Sequence, residues 1–121
     1  MKAMTTLRKP LIWLHGEVKT PPFSRDARVE AGTLLKKVQE GDSLQMPHSE
    51  PMPSIGARCH QLRVRDETKY WRIVYRVDHD AILIVEVYPK TTQQTPKHII
   101  NVCRQRLKRY DDRVAKTKKK G

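Results

Sequence analysis

Cysteine is nearly absent from this sequence: Cys59 and Cys103 are the two among 121 residues. Two thiols cannot build a disulfide framework, and neither has a cysteine or histidine partner at zinc-ligand spacing. The five histidines are equally scattered, so no structural metal site is expected. Aromatic residues are scarce at 6%, too few for the extended base-stacking surface of a plain RNA-binding module. Long apolar runs are missing as well. None approaches the roughly 18 residues a spanning helix needs, and the patch Leu11–Leu14 behind Arg8, Lys9 and Pro10 is too brief for a secretory signal core. A cytoplasmic location is therefore expected. There is no glycine-rich phosphate loop, no Gly-x-Ser-x-Gly elbow and no histidine–carboxylate metal set. Cys59 and Cys103 fall in a strand and a helix where buried thiols are common, so neither is read as a nucleophile.

What the sequence has in excess is positive charge. It carries 25 Lys and Arg against 13 Asp and Glu, a formal net charge of +12. The length suits one domain, and 37% hydrophobic residues allow only a modest core. Residues 104–121 hold nine of the cations against Asp111 and Asp112. Lys116–Gly121 has no apolar content, so residues 111–121 read as a basic, disordered tail. The body remains basic without it. A polyanion is the natural partner, and a membrane surface fits less well because no amphipathic anchor accompanies the charge.

Periodicity supplies the elements. Leu11–Leu14 reads as a short strand closed by Gly16, and Lys19–Pro22 breaks structure. Ser24 is a good N-cap for a helix over 25–40, where Ala27, Ala31, Leu34, Leu35 and Val38 recur at helical spacing and Gly41 supplies the stop. Residues 42–57, with Pro47, Pro51, Pro53 and Gly56, read as a long stiff loop. Three strands follow, Cys59–Arg65, Tyr70–Val77 and Ala81–Tyr88, joined by short polar turns as in an antiparallel meander. Thr95 and Pro96 open a last helix running to about Tyr110.

Register then sorts the side chains. A first hairpin turning about residues 67 and 68 pairs Arg63 with Arg72, Leu62 with Ile73 and Val64 with Trp71. A second with a three-residue loop pairs Arg72 with Glu86, Val74 with Ile84 and Tyr70 with Tyr88. One face then collects His60, Leu62, Val64, Trp71, Ile73, Tyr75, Leu83, Val85 and Val87, and buries against helices. The other collects Gln61, Arg63, Arg65, Tyr70, Arg72, Arg76 and Glu86 and stays solvated. Directly opposed arginines cost a sheet up to about 1 kcal/mol. Glu86 offsets one of them, and the rest makes an anion site that suits a phosphate. Trp13 and Trp71 read as core, His60 as a satisfied core residue and His48 as an exposed loop histidine.

These residues resemble a known family. The element order, together with residues 14–23, Pro47–Gly56, His60-Gln61-Leu62-Arg63, Trp71–Arg76 and Lys90–Pro96, is similar to the RelE/ParE toxin superfamily, in its HigB-like, phage-derived branch. The resemblance covers residues 11–110. It implies a RelE-like α+β fold, a small antiparallel or mixed sheet of about four strands with an N-terminal helix packed on one face and a C-terminal helix. Residues 1–10 are then an N-terminal extension, 11–110 the toxin domain and 111–121 the tail.

The resemblance also implies function: the toxin of a type II toxin–antitoxin pair, an endoribonuclease that cuts messenger RNA on the ribosome without metal or small-molecule cofactor. The RNA 2′-hydroxyl attacks the adjacent phosphate and a 5′-hydroxyl leaves. The partners are then the ribosome, mRNA and a cognate antitoxin, usually a small helix-turn-helix protein that would cover the basic face or displace the last helix. Arg72 matches the arginine many members place in the equivalent strand, for phosphate stabilisation. Arg63 is a second phosphate ligand, and Lys90 orients the phosphate or moves a proton. Glu86 and Tyr88 are candidates for base and positioning. Arg65, Arg76, His48 and Lys97 are read as RNA-binding, and Glu50 as a further group reaching in from the loop. Many relatives carry a His or Tyr near the chain end as general acid; here Tyr110 is the sole aromatic after Tyr88, and it reads as packing the last helix. Two other classes stay open, a ParE-like non-enzymatic inhibitor of DNA gyrase and a plain RNA-binding module. The clustered Arg63 and Arg72 favour the nuclease.

Overall fold

The structure is a computed structural model that describes residues 8–14, 24–44, 48–67, 69–91 and 94–120. The expected breaks at Gly16 and at 19–22, and residues Thr92 and Gln93 of the Lys90–Pro96 motif, lie outside the described residues. In chain order the elements are β1 (Leu11–Trp13), α1 (Arg25–Gln39), β2 (Ser49–Pro51), β3 (Cys59–Asp66), β4 (Lys69–Val77), β5 (Ile82–Pro89) and α2 (Lys97–Lys120). The five strands form one mixed sheet in the order β1-β5-β4-β3-β2, with β1 parallel to β5 and the other pairs antiparallel.

Local chemistry accounts for α1. The Ser24 hydroxyl accepts from the Ala27 amide at 3.2 Å, Asp26 sits in the first turn and Lys36 and Lys37 in the last. Beyond the Glu40 cap, Gly41 takes φ of +98°, a left-handed conformation that favours glycine and ends the helix. The Ser24 amide in turn donates to Asp66 at 2.8 Å, fastening the start of α1 to the end of β3.

The first hairpin has the register read from the sequence: Arg63 stands opposite Arg72, Leu62 opposite Ile73 and Val64 opposite Trp71. The second does not. Arg72 faces Tyr88 and Val74 faces Glu86, and a register shift between Val74 and Tyr75 then sets Tyr75 opposite Ile84. Val85 is the additional residue of this β-bulge. The bulge moves Leu83 and Val85 away from Ile73 and onto the face shared with Val74, Cys59 and Tyr88.

Both faces of the sheet are therefore packed. Leu62, Val64, Trp71, Ile73, Tyr75, Ile82, Ile84 and Val87 meet Ala27, Ala31, Leu34, Leu35 and Val38 of α1. On the opposite face Val74, Leu83, Val85 and Tyr88 meet Ile99, Cys103 and Leu107 of α2, with Met52 and Ile55 from the loop after β2. The expectation of a solvated second face is corrected: Gln61, Arg72, Arg76 and Glu86 are all buried. The cause is β5, where Ala81–Val85 is apolar at every position and so demands cover on both sides.

Three further expectations change. The loop over 42–57 contains β2, whose Glu50 pairs with Gln61; as an edge strand it tolerates Pro51. Helix α2 does not stop near Tyr110 but continues through Lys120, so 111–120 is helical rather than a disordered tail. Cys103, Leu107, Tyr110 and Val114 continue one stripe at helical spacing, Asp111 pairs with Arg76, and Lys108 bonds Asp112 one turn on at 3.0 Å. Finally, Trp13 is not core but 38% exposed. Among the described residues no helix is long and apolar enough to cross a membrane.

Candidate anion-binding groove

The centre of the candidate site is the Arg63–Arg72 pair on β3 and β4. Both side chains stand on the α2-facing side of the sheet, toward the β2 edge. Glu50 of β2 reaches Arg63 at 3.0 Å, and the Gln61 amide approaches the same carboxylate at 3.5 Å. Glu50, not Glu86, is thus the counter-ion of the pair. Among the described residues Arg72 has no such partner: it is 6% exposed, its one hydrogen bond there is a long 3.5 Å contact from Nη1 to the Trp71 carbonyl, and no carboxylate lies within ion-pairing distance. Burial, and then the charge of Arg63, pull its pKa below the ordinary guanidinium value. The Nε of Arg63 is also buried without a hydrogen-bond partner.

A groove of about 320 Å³ opens beside these guanidinium groups, lined by Glu30, His48, Arg63, Arg65, Tyr70, Arg72 and Lys90. The backbone explains why they converge. The Arg63 amide donates to the His48 carbonyl at 2.8 Å, bringing the start of β2 beside β3. The Lys90 amide donates to the Tyr70 carbonyl at 2.7 Å, so the residue leaving β5 lies against the start of β4. Four cations, Arg63, Arg65, Arg72 and Lys90, meet one carboxylate, Glu30, along this lining. A low-dielectric floor under cations that outnumber their carboxylates focuses potential toward an anion.

The other expected site residues stand elsewhere. Glu86 is buried, accepts from the Val87 amide at 3.0 Å and pairs with Arg106 of α2 at 3.4 Å. Tyr88 faces Arg72 across the ladder, but its hydroxyl donates to Gln61 at 3.0 Å and lies 3.3 Å from Thr95. Burial pushes the Tyr88 phenol pKa up. Arg76 does not face a ligand at all: it makes paired bonds of 2.7–3.0 Å to both Asp78 and Asp111. Lys97 is exposed at the first position of α2, outside the groove lining.

Neither cysteine offers chemistry. Cys103 is buried, and burial together with the Glu86 charge pushes its thiol up to about 12. Cys59 is likewise buried and raised. His60 stacks on Tyr75 with ring centres 5.3 Å apart, and burial lowers its pKa. Tyr110 is half-buried against the α2-side core. The larger groove of about 630 Å³ beside α2 is charged too, but Arg76, Asp111, Lys108 and Asp112 within it satisfy one another.

Sequence reasoning missed two lining residues. Tyr70 shares the face of Arg72, but nothing in its spacing assigns it a role, and Glu30, on the outer side of α1, carries no signal in its spacing. A family model described as "Phage derived protein Gp49-like (DUF891)" matches residues 22–108, most of the chain. Comparison with curated proteins and with solved structures returns no match.

Proposed function

The chain belongs to the phage-derived Gp49-like family, a family compatible with the toxin half of a toxin–antitoxin pair, and from that premise we propose that it is a ribosome-dependent mRNA endoribonuclease of RelE type acting in the cytoplasm. The observation that carries this reading is Arg72, a buried guanidinium with no carboxylate partner among the described residues, opening beside Arg63 onto a cationic groove. Keeping such a cation dry and unpaired costs the fold stability. A bound phosphate reverses that cost, because a guanidinium fork matches two phosphate oxygens.

In the reaction, the 2′-hydroxyl of one nucleotide attacks the next phosphorus while the bond to the 5′-oxygen breaks. Negative charge gathers on the non-bridging oxygens, and Arg72 and Arg63 are fixed in advance where it grows. The β3–β4 ladder sets the two arginines opposite each other, and Glu50 holds the Arg63 side chain. His48 and Lys90, both exposed on the groove rim, are the groups assigned to take the 2′-hydroxyl proton and to protonate the leaving oxygen. Arg65 engages a neighbouring phosphate. Glu86, Tyr88 and Arg76 act on the scaffold instead. A cognate antitoxin, on this reading, presents an acidic surface to the same groove.

Primer extension on a translated reporter mRNA tests the proposal, with wild-type protein and Arg72→Gln. Cuts inside codons that appear only during translation, and vanish in the variant, support it. Growth arrest without cuts overturns it in favour of a gyrase-type inhibitor, and cuts that persist in Arg72→Gln overturn the site.

A further inference from the structure

We infer that Tyr70 is the nucleobase platform of the groove, so that the ligand is a single-stranded nucleotide whose phosphate sits on Arg63 and Arg72 and whose base stacks on the Tyr70 ring. This rests on the reading of the groove as an RNA site. Among the described residues, three large hydrophobic side chains are exposed: Trp13, Val29 and Tyr70. Of these, Tyr70 alone lines the cationic groove, and it leaves 48% of its surface open there. The ring stands near the start of β4, while the aromatics farther along the central strands, Trp71, Tyr75 and Tyr88, are buried in the core.

Its position relative to the cations is what selects the ligand. Tyr70 and Arg72 stand on the same face of β4, two residues apart, which places their Cα atoms about 7 Å from one another. That is close to the span from a nucleotide's phosphate to its own base. The backbone that carries the ring is fixed on both sides, since the Tyr70 carbonyl accepts from the Lys90 amide at 2.7 Å and Tyr70 stands opposite Arg65 in the ladder. A duplex keeps its base faces stacked on each other, whereas a single strand can lay one on a protein ring. The scarcity of aromatics that argues against an extended stacking surface is thus compatible with a site for one base.

The test measures binding of labelled, uncleavable 2′-O-methyl tetranucleotides to the full chain by fluorescence anisotropy. One strand carries all its bases; the other keeps every phosphate but is abasic. Wild-type protein is expected to prefer the base-bearing strand by about tenfold or more. Tyr70→Leu should lose that preference while binding the abasic strand as before. Tyr70→Phe should keep it, because stacking needs the ring and not the hydroxyl. A Tyr70→Leu protein that retains the preference, or that loses both strands equally, overturns the inference. The readout is separable from catalysis: a protein that stacks bases through Tyr70 yet cuts no message refutes the nuclease reading and leaves this one standing.

Discussion

Two arginines stand four residues apart on the same face of β4, Arg72 and Arg76, and both are buried, at 6% and 7% exposure. The protein treats them in opposite ways. Arg76 makes paired bonds to Asp78 beside it and to Asp111 of α2, and these raise its pKa. Arg72 has no carboxylate among the described residues, and burial and Arg63 lower its pKa. One cation is spent on architecture, tying the last helix to the sheet. The other is left without a counter-ion among the described residues, which is what the proposed phosphate would supply. Burial of a charged residue is therefore not evidence of function by itself; what separates the two cases is whether the protein supplies the counter-ion.

Breaking this comparison should have its largest effect at Arg72. Arg72→Gln is expected to lower translation-dependent cleavage about 10²- to 10³-fold, the usual loss for a preorganised transition-state ligand. Its thermal midpoint should stay unchanged or rise, since a buried unpaired charge is removed. Arg76→Gln should behave in the reverse sense. It leaves Asp111 unpaired and Asp78 with only the longer 3.5 Å contact to Arg58, and should cost about 2–3 kcal/mol, read as a fall of roughly 10 °C in thermal denaturation. If the two variants gave the same pattern, the distinction between the arginines would collapse.

Acid sharpens the same contrast. The Arg76 hydrogen bonds hold the Asp111 carboxyl below its ordinary value of 3.8. A depressed folded-state pKa contributes stability that is complete above that ordinary value and lost as pH falls through the lower folded one. The midpoint of wild-type protein should therefore drop more steeply below about pH 4 than that of Arg76→Gln. The smallest effect is expected at the chain end. Removing residues 116–121 takes away four lysines. It should flatten the salt dependence of RNA affinity by up to about 0.7 log units per lost phosphate contact, with cleavage retained.

Much of this architecture is legible in the sequence where the signal is local. The Ser24 cap, the α1 stripe and the Arg63–Arg72 register follow from spacing and turn length alone. The second hairpin was misread because the bulge at Val85 adds a residue that no polar turn announces, and an all-apolar run such as Ala81–Val85 penalises neither register. The helical continuation of α2 was hidden behind its lysines, although Tyr110 and Val114 keep the apolar stripe in phase. Arg63, Arg65, Arg72, Lys90 and His48 were singled out by charge, face and resemblance, and the fold brings them to one groove. Glu86 and Arg76 are singled out by the same signals, yet α2 supplies each of them with a partner, Arg106 and Asp111.

The sequence by itself determined the first helix, the three central strands, the first register and the basic character that points to a polyanion, because each is set by neighbours a few residues apart. Only the tertiary structure decided which buried arginine is neutralised within the fold. That choice depends on Asp111, 35 residues from Arg76 in the chain but 2.8 Å from it in space, and on the lack of any such carboxylate beside Arg72 among the described residues. Charge pairing is settled by distance and burial, and neither is written in sequence separation.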